Sequence, residues 1–464
     1  MLVALAVVGP LGYLWHASLL PDSYDMAAMG YPDWGGGPGG HTGPGGAVVA
    51  VADLVAPTGR PDVRARFEVR QDDEGYTVNG RSPGPLLSAV AGDLVEVVLV
   101  NVDVAAGATL HWHGVDVPNA ADGVAGVTQD AVGPGEEFVY RFVADREGTY
   151  WYHSHQVSHV QVQGGLFGPF VVRSPTADAD VLDQLAVVHR YDDGPSLNGL
   201  PGTTAVDTEV GREVRVRIIN TDNGLLTTWV NGAPFEVVAI DGVDVHEPEP
   251  LTGTAVRVPA GGRVDLGFVI PDGGVRVDLG GTTALTFGGD PTTGTTRAPP
   301  DELDPLTYGE PVSLGLDPAA ADRRFEYRIG KRPGFLDGRP GMWWTINGHH
   351  FPDVPMFMVF EGDVVVMQIE NHSDDTHPMH LHGHHAVVLS RDGTAATGSP
   401  WWIDSLEVGV GETYEIAFVA DNPGLWMDHC HNLQHAVDGL VAHLMYAGVS
   451  SSFRVGGEHS NEPE

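Results

Sequence analysis

Eight histidines of this chain form four His-x-His pairs: His111 with His113, His153 with His155, His380 with His382, and His429 with His431. In a strand, residues i and i+2 share one face roughly 6.5–7 Å apart, so each pair presents two imidazoles side by side. Two pairs facing two others would enclose eight nitrogen donors. That is too many for one zinc and suits several coppers, for which imidazole is a good ligand. Cys430, the only cysteine, lies between His429 and His431, so its side chain leaves by the opposite face. There it can join His435 and His377, and Cys with two His is the ligand set of a blue-copper electron-transfer site. The weak axial ligand of such sites is often Met; ten residues after Cys430 this chain has Leu440, which donates no electron density to Cu(II) and should raise the reduction potential. The His-Cys-His run thus joins a one-electron site to a polynuclear one through adjacent residues. Electrons could be collected singly and delivered where O2 is fully reduced.

Alternating apolar and polar residues dominate the chain, and no long 3.6-residue pattern competes, so strands must position these side chains. GDLVEVVLVN (92–101), GREVRVRIIN (211–220) and GDVVVMQIEN (362–371) form an internal repeat. A second unit follows each: GPGEEFVYRFVAD (133–145), the weaker PAGGRVDLGFVI (259–270), and GVGETYEIAFVAD (409–421). The histidine pairs occupy matching places in the outer copies and are missing from the middle one. With 22 histidines in 464 residues, about one His-x-His is expected by chance. Histidines meeting ordinary hydrogen-bonding needs would not leave the middle copy alone without such pairs.

Three copies with about seven or eight short strands each predict an all-β chain of three Greek-key β-sandwich domains, at 47–175, 176–312 and 313–450. Residues 451–464 read as an acidic, disordered tail. Residues 1–46 combine an apolar N-terminal segment with a glycine- and proline-rich flexible linker, GYPDWGGGPGGHTGPGG (30–46). Residues 2–20 carry no formal charge, contain Pro10 and His16, and lack a preceding Lys or Arg. They read either as a signal-anchor without its basic leader or as a packed arm.

Composition narrows the partners. With 62 acidic against 24 basic residues the net charge is −38, and Lys331 is the only lysine. Such a field repels phosphate backbones and anionic headgroups, which argues against nucleic acid as a partner. One cysteine permits no intramolecular disulfide.

HWHG (111–114), YWYHSH (150–155), HPMHLHGH (377–384) and HCHNLQHAVDGL (429–440) resemble the four copper signatures of three-domain, laccase-like multicopper oxidases, in order and spacing across residues 47–450. The resemblance implies cupredoxin domains and four copper ions. It makes His377, Cys430 and His435 similar to the type 1 ligands, with Leu440 at the axial, non-coordinating place. His111 and His380 look like type 2 ligands, and His113, His153, His155, His382, His429 and His431 like type 3 ligands. The other histidines, among them His159, His349, His350, His384 and His385, are left to structural or surface roles. Asp122 resembles the acid that orients water and supports proton delivery; as an Asp-Gly turn residue it would need no such role. A second carboxylate, usual after the His435 position or just after His431, is replaced by Ala436 and Leu433, with Asp438 as a substitute to consider.

The resemblance implies a secreted or surface-anchored, extracytoplasmic oxidase of phenols or aromatic amines that reduces O2 to water. A Cu(I) or Fe(II) oxidase is the alternative: no Met-rich segment is present, with Met356, Met358 and Met367 scattered, whereas carboxylates abound. A metal-free cupredoxin scaffold would show eroded motifs, and a two-domain nitrite reductase would lack the third repeat. Trp401, Trp402 and Asp404 (in SPWWIDS) line the approach to the type 1 site on one reading and belong to the core on the other. Oligomeric state leaves no mark on the sequence.

Overall fold

A computed structural model describes residues 2–36, 48–176, 180–289 and 297–464. The predicted alternation is realised as strands that bury every second residue: Asp93–Asn101 turns Val95, Val97 and Leu99 inward. In the first sandwich, one sheet orders Gly75–Val78, Val63–Asp72, Asp93–Asn101 and Glu137–Ala144, and the other Leu87–Val90, Phe167–Arg173, Gly148–His153 and His111–His113. Trp112, Tyr152, Phe142 and Phe170 fill the space between them.

The middle sandwich pairs a seven-stranded with a six-stranded sheet around Val216, Ile218, Leu266 and Phe287. In the third, His377–Leu381 lies between Leu425–Cys430 and Ser405–Val408, antiparallel to both. Both outer histidine sets therefore lie on strands or just past their ends, within one all-β fold of cupredoxin type.

Two terminal expectations meet a different outcome. Within the predicted flexible linker, Tyr31–Asp33 forms a strand parallel to Pro355–Val359 of the third sandwich; residues 37–46 of that linker lie outside the described residues. The tail is ordered rather than free. Val455–Gly456 pairs with Ser23–Tyr24, and the Asn461 side chain accepts from Ala131 N and donates to Asp130. Backbone and side-chain partners found only in three dimensions outweigh its acidic composition.

Leu2–Ala17 is a helix containing Pro10, and Leu11, Tyr13, Leu14 and Trp15 are exposed on it. Its far end is tied to the hairpin of Arg323–Leu336 and Arg339–Ile346, where Asp337 N and Gly338 N donate to Ser18 and Asp337 accepts from Leu20 N. Among the described residues no helix is long and apolar enough to cross a membrane.

Candidate metal centre

Strand pairing places His111, His113, His153, His380 and His429, and His155, His382 and His431 follow within two residues of the ends of their strands. His111 stands opposite His153, and Trp151 opposite His113; in the third sandwich His380 stands opposite His429. Alternation sends Trp112 and Tyr152 into the core and the histidines to the other face. There the outer sandwiches meet. The His113 and His380 rings stack with centroids 3.7 Å apart, and His111 stacks on His382 at 3.8 Å. All eight are buried.

Hydrogen bonds fix the face that each ring turns to the cluster. His111 donates from Nδ1 to the Asp122 carbonyl (2.9 Å), His153 to Ser154 O (3.0 Å), His155 to Pro463 O (3.0 Å) and His380 to Asp404 O (2.8 Å). Asp122 Oδ1 lies 3.1 Å from both His111 Nδ1 and His382 Nδ1. With Nδ1 occupied, Nε2 carries the lone pair.

His113 is inverted: its Nε2 lies 3.1 Å from both Asp404 Oδ1 and Ser405 Oγ, and its Nδ1 has no partner. His153 Nε2, His155 Nε2 and both His431 nitrogens are likewise buried without protein partners. His111 Nε2 faces His380 Nε2 at 3.4 Å, and His382 Nε2 faces His429 Nε2 at 3.2 Å. Burial above all, then neighbouring imidazoles, holds His113, His153, His382 and His431 well below the ordinary histidine value. Buried lone pairs turned toward one another cost free energy unless a cation lies among them. The donor set therefore fits several metal ions, and donor atoms of His111, His380 and His382, and of His155, His382 and His429, come within 4.8 Å of one another.

A separate site lies on the opposite face of Leu425–Cys430. Cys430 Sγ is 3.7 Å from His377 Nδ1 and 3.6 Å from His435 Nδ1, and those nitrogens are 3.2 Å apart. Burial pushes the Cys430 thiol up, and burial followed by His435 and Lys331 pushes His377 down to about 3. An apolar, neutral Cys-His-His set of this kind gains a thiolate only by binding a cation. Leu440 is wholly buried, accepts from Cys430 N and donates from its own N to His435 O.

Residues 62–177 and 327–448 each match a family model described as multicopper oxidase. The chain belongs to the multicopper oxidase family. Laccase-1 of Botryotinia fuckeliana is 29% identical over 436 residues, covering 78% of this chain and 77% of the relative. Multicopper oxidase MmcO of Mycobacterium tuberculosis is 26% identical over 442 residues, covering 80% and 82%. Among solved structures, a multi-copper oxidase from Pseudomonas thermotolerans aligns with a TM-score of 0.67 at 27% identity, covering 84% of this chain and all of that one. As a multicopper oxidase, the protein is a copper-dependent oxidoreductase that uses four coppers, O2 and a reducing substrate.

Several residues around this oxidase's centres could not be found from motifs. Asp404 does not line an approach to the Cys430 site; it reaches the imidazole cluster, at His113. Trp401 lines a cavity of about 370 Å³ between the middle and third sandwiches, and Trp402 pairs with Val387 on the sheet edge. The ring that does flank Cys430's ligands is Trp344, with its centroid 4.6 Å from those of His377 and of His435. Lys331 Nζ lies 4.1 Å from the Trp344 ring centroid.

A carboxylate from far along the chain approaches the cluster. Glu464 Oε1 lies 3.1 Å from His429 Nδ1, and its Oε2 accepts from Ser158 Oγ at 2.7 Å. Leu433 instead packs with Trp151, Ala436 is buried, and Asp438 accepts from Gln434. No local pattern marks Glu464, because its partners lie more than 30 residues away.

Proposed function

We propose that this multicopper oxidase is laccase-like, oxidising phenols or aromatic amines by single electrons at a type 1 copper held by His377, Cys430 and His435. His111 and His380 would hold the type 2 copper, and His113, His153, His155, His382, His429 and His431 the type 3 pair. Bound there, the coppers supply one-electron oxidation of the reductant and four-electron reduction of O2 to water. The observation carrying this reading is the set of buried, unpartnered nitrogens at His113, His153, His155 and His431, which protein groups alone leave unsatisfied.

The residues of the chain do the rest. Asp122 accepts from His111 and His382 through one oxygen, which orients both rings and holds a carboxylate beside the place where oxygen is reduced. The apolar shell around Cys430, with Leu440 and Trp344, excludes water from the electron-entry site. Met356, Met358 and Met367 are buried core residues, so they offer no exposed thioether cluster to Cu(I). A second reading, Fe(II) oxidation, draws on Asp375, whose exposed carboxylate is 3.9 Å from His435 Nε2. The exposed apolar side chains of residues 11–19 and the absence of formal charge in residues 2–20 support an extracytoplasmic, surface-anchored enzyme.

Oxygen uptake by the copper-loaded enzyme with a phenol, Cu(I) and Fe(II) in turn tests the choice. The highest kcat/KM is expected with the phenol, and a clear preference for either metal ion would replace the laccase reading.

Two variants probe the shell. Leu440→Met supplies a thioether that favours Cu(II). If it binds Cu(II) tenfold more tightly relative to Cu(I), the type 1 potential falls by about 59 mV. A redox titration measures this, and an unchanged potential removes Leu440 from the axial place. Deleting residues 461–464 takes away the acceptor of His155 and the carboxylate beside His429. Copper affinity or turnover is expected to fall about 10–100-fold with the blue absorption retained; wild-type copper content and kinetics would confine the tail to a packing role.

A further inference from the structure

The middle sandwich supplies none of the eight cluster histidines, yet its turn at 259–263 closes over them. Gly261 touches the cluster so closely that a Cβ there would lie 2.8 Å from His113 Cε1 and 3.0 Å from His431 Cδ2. Its carbonyl accepts from Trp151 Nε1 at 3.1 Å. Two residues on stands Arg263, fully buried among all three sandwiches.

The guanidinium is held on every side. Nε donates to Thr149 O at 3.0 Å, Nη1 donates to Asp404 Oδ1 and to Gly261 O, and Nη2 donates to Asp404 Oδ2. Such a two-pronged bond fixes the plane of the carboxylate as well as its position, which an ammonium group cannot do. Asp241 holds the partners in place by accepting from Arg263 N, Asp404 N and Ser405 N. His385 approaches the far oxygen of Asp404 at 3.4 Å. Ser405 Oγ donates to Asp404 Oδ1 at 3.3 Å, and the same oxygen faces His113 Nε2 at 3.1 Å.

We propose that Arg263, through Asp404, is a positioning residue that holds His113 in the tautomer opposite to that of its neighbours, with the proton on Nε2 and the metal-binding lone pair on Nδ1. His111, His153, His155 and His380 each donate from Nδ1 to a backbone carbonyl and turn Nε2 to the cluster. His113 meets a carboxylate on its Nε2 side and nothing on Nδ1. This inference rests on the ligand set proposed above. It gives the sandwich without cluster histidines a function: it carries the cation that makes Asp404 a fixed acceptor. A carboxylate left without that clamp could rotate, and the ring of His113 could flip.

The test uses the full-length, copper-loaded enzyme, fully reduced so that its coppers are diamagnetic and selectively ¹⁵N-labelled at histidine. The wild type is expected to show one cluster imidazole bearing its proton on Nε2, identified by its loss in His113→Gln. Arg263→Lys keeps the charge without the fork, and should broaden or lose that signal. Copper affinity should fall about 10–100-fold while the blue absorption stays. A purely architectural arginine would lower the melting temperature and leave the tautomer and copper content unchanged. That result, or a wild-type His113 protonated on Nδ1, overturns the proposal; if Arg263→Lys does not fold, Arg263→Gln is read in the same way. Failure of the ligand set itself would show separately, as a His113→Gln variant with its full copper complement.

Discussion

Replacing Cys430 with serine is expected to abolish the blue absorption, remove one copper and lower turnover with every reductant by more than about a thousandfold. The substitution changes one atom in a fully buried side chain at the end of a six-residue strand, so the fold should survive. What disappears is the soft, polarisable donor 3.6–3.7 Å from the two Nδ1 atoms. A hydroxyl in that apolar shell has no tendency to ionise, and two imidazoles alone hold copper loosely. The histidine pairs of the other face are untouched, so the remaining coppers should stay bound. Copper analysis with visible spectroscopy checks this, and a variant that remains blue would place the type 1 site elsewhere.

Asp122→Asn should leave the blue absorption intact and slow reoxidation of the reduced enzyme by O2 about 10–100-fold. Asp122 is fully buried, and its Oδ1 serves His111 and His382 together. Asparagine keeps the shape and one acceptor but neither the charge nor a site for a proton. The turn is preserved, because its tightness belongs to Gly123, whose φ is +80° and whose absent Cβ would fall on the Leu110 carbonyl. A purely conformational role for Asp122 therefore predicts little change. Stopped-flow mixing with O2 separates the two, and reoxidation at the wild-type rate would leave Asp122 as a turn residue alone.

The contrast between these two positions shows what could be read from the chain. Cys430 declares itself, since His-Cys-His on a strand sends alternate side chains to opposite faces whatever surrounds it. Asp122 could only be placed by resemblance, because a turn aspartate and a hydrogen-bonded one share the same local sequence.

The same division holds for the whole protein. Strand period and the doublets at His111, His153, His380 and His429 depend on neighbours a few residues apart, and the threefold repeat on short patterns that recur, so all are written in the sequence itself. It is residues remote in the chain that the tertiary structure brought together. Glu464 reaches His429, Arg263 of the middle sandwich clamps Asp404 of the third, and Trp344 flanks the ligands of Cys430. The ordered tail belongs with them, because its acidic composition counts charges and says nothing of waiting donors such as Ala131 N and Val157 N. Local periodicity is a property of the backbone, which every sequence carries. The second layer of partners around a buried site is a property of packing, which appears only when the sandwiches close on one another.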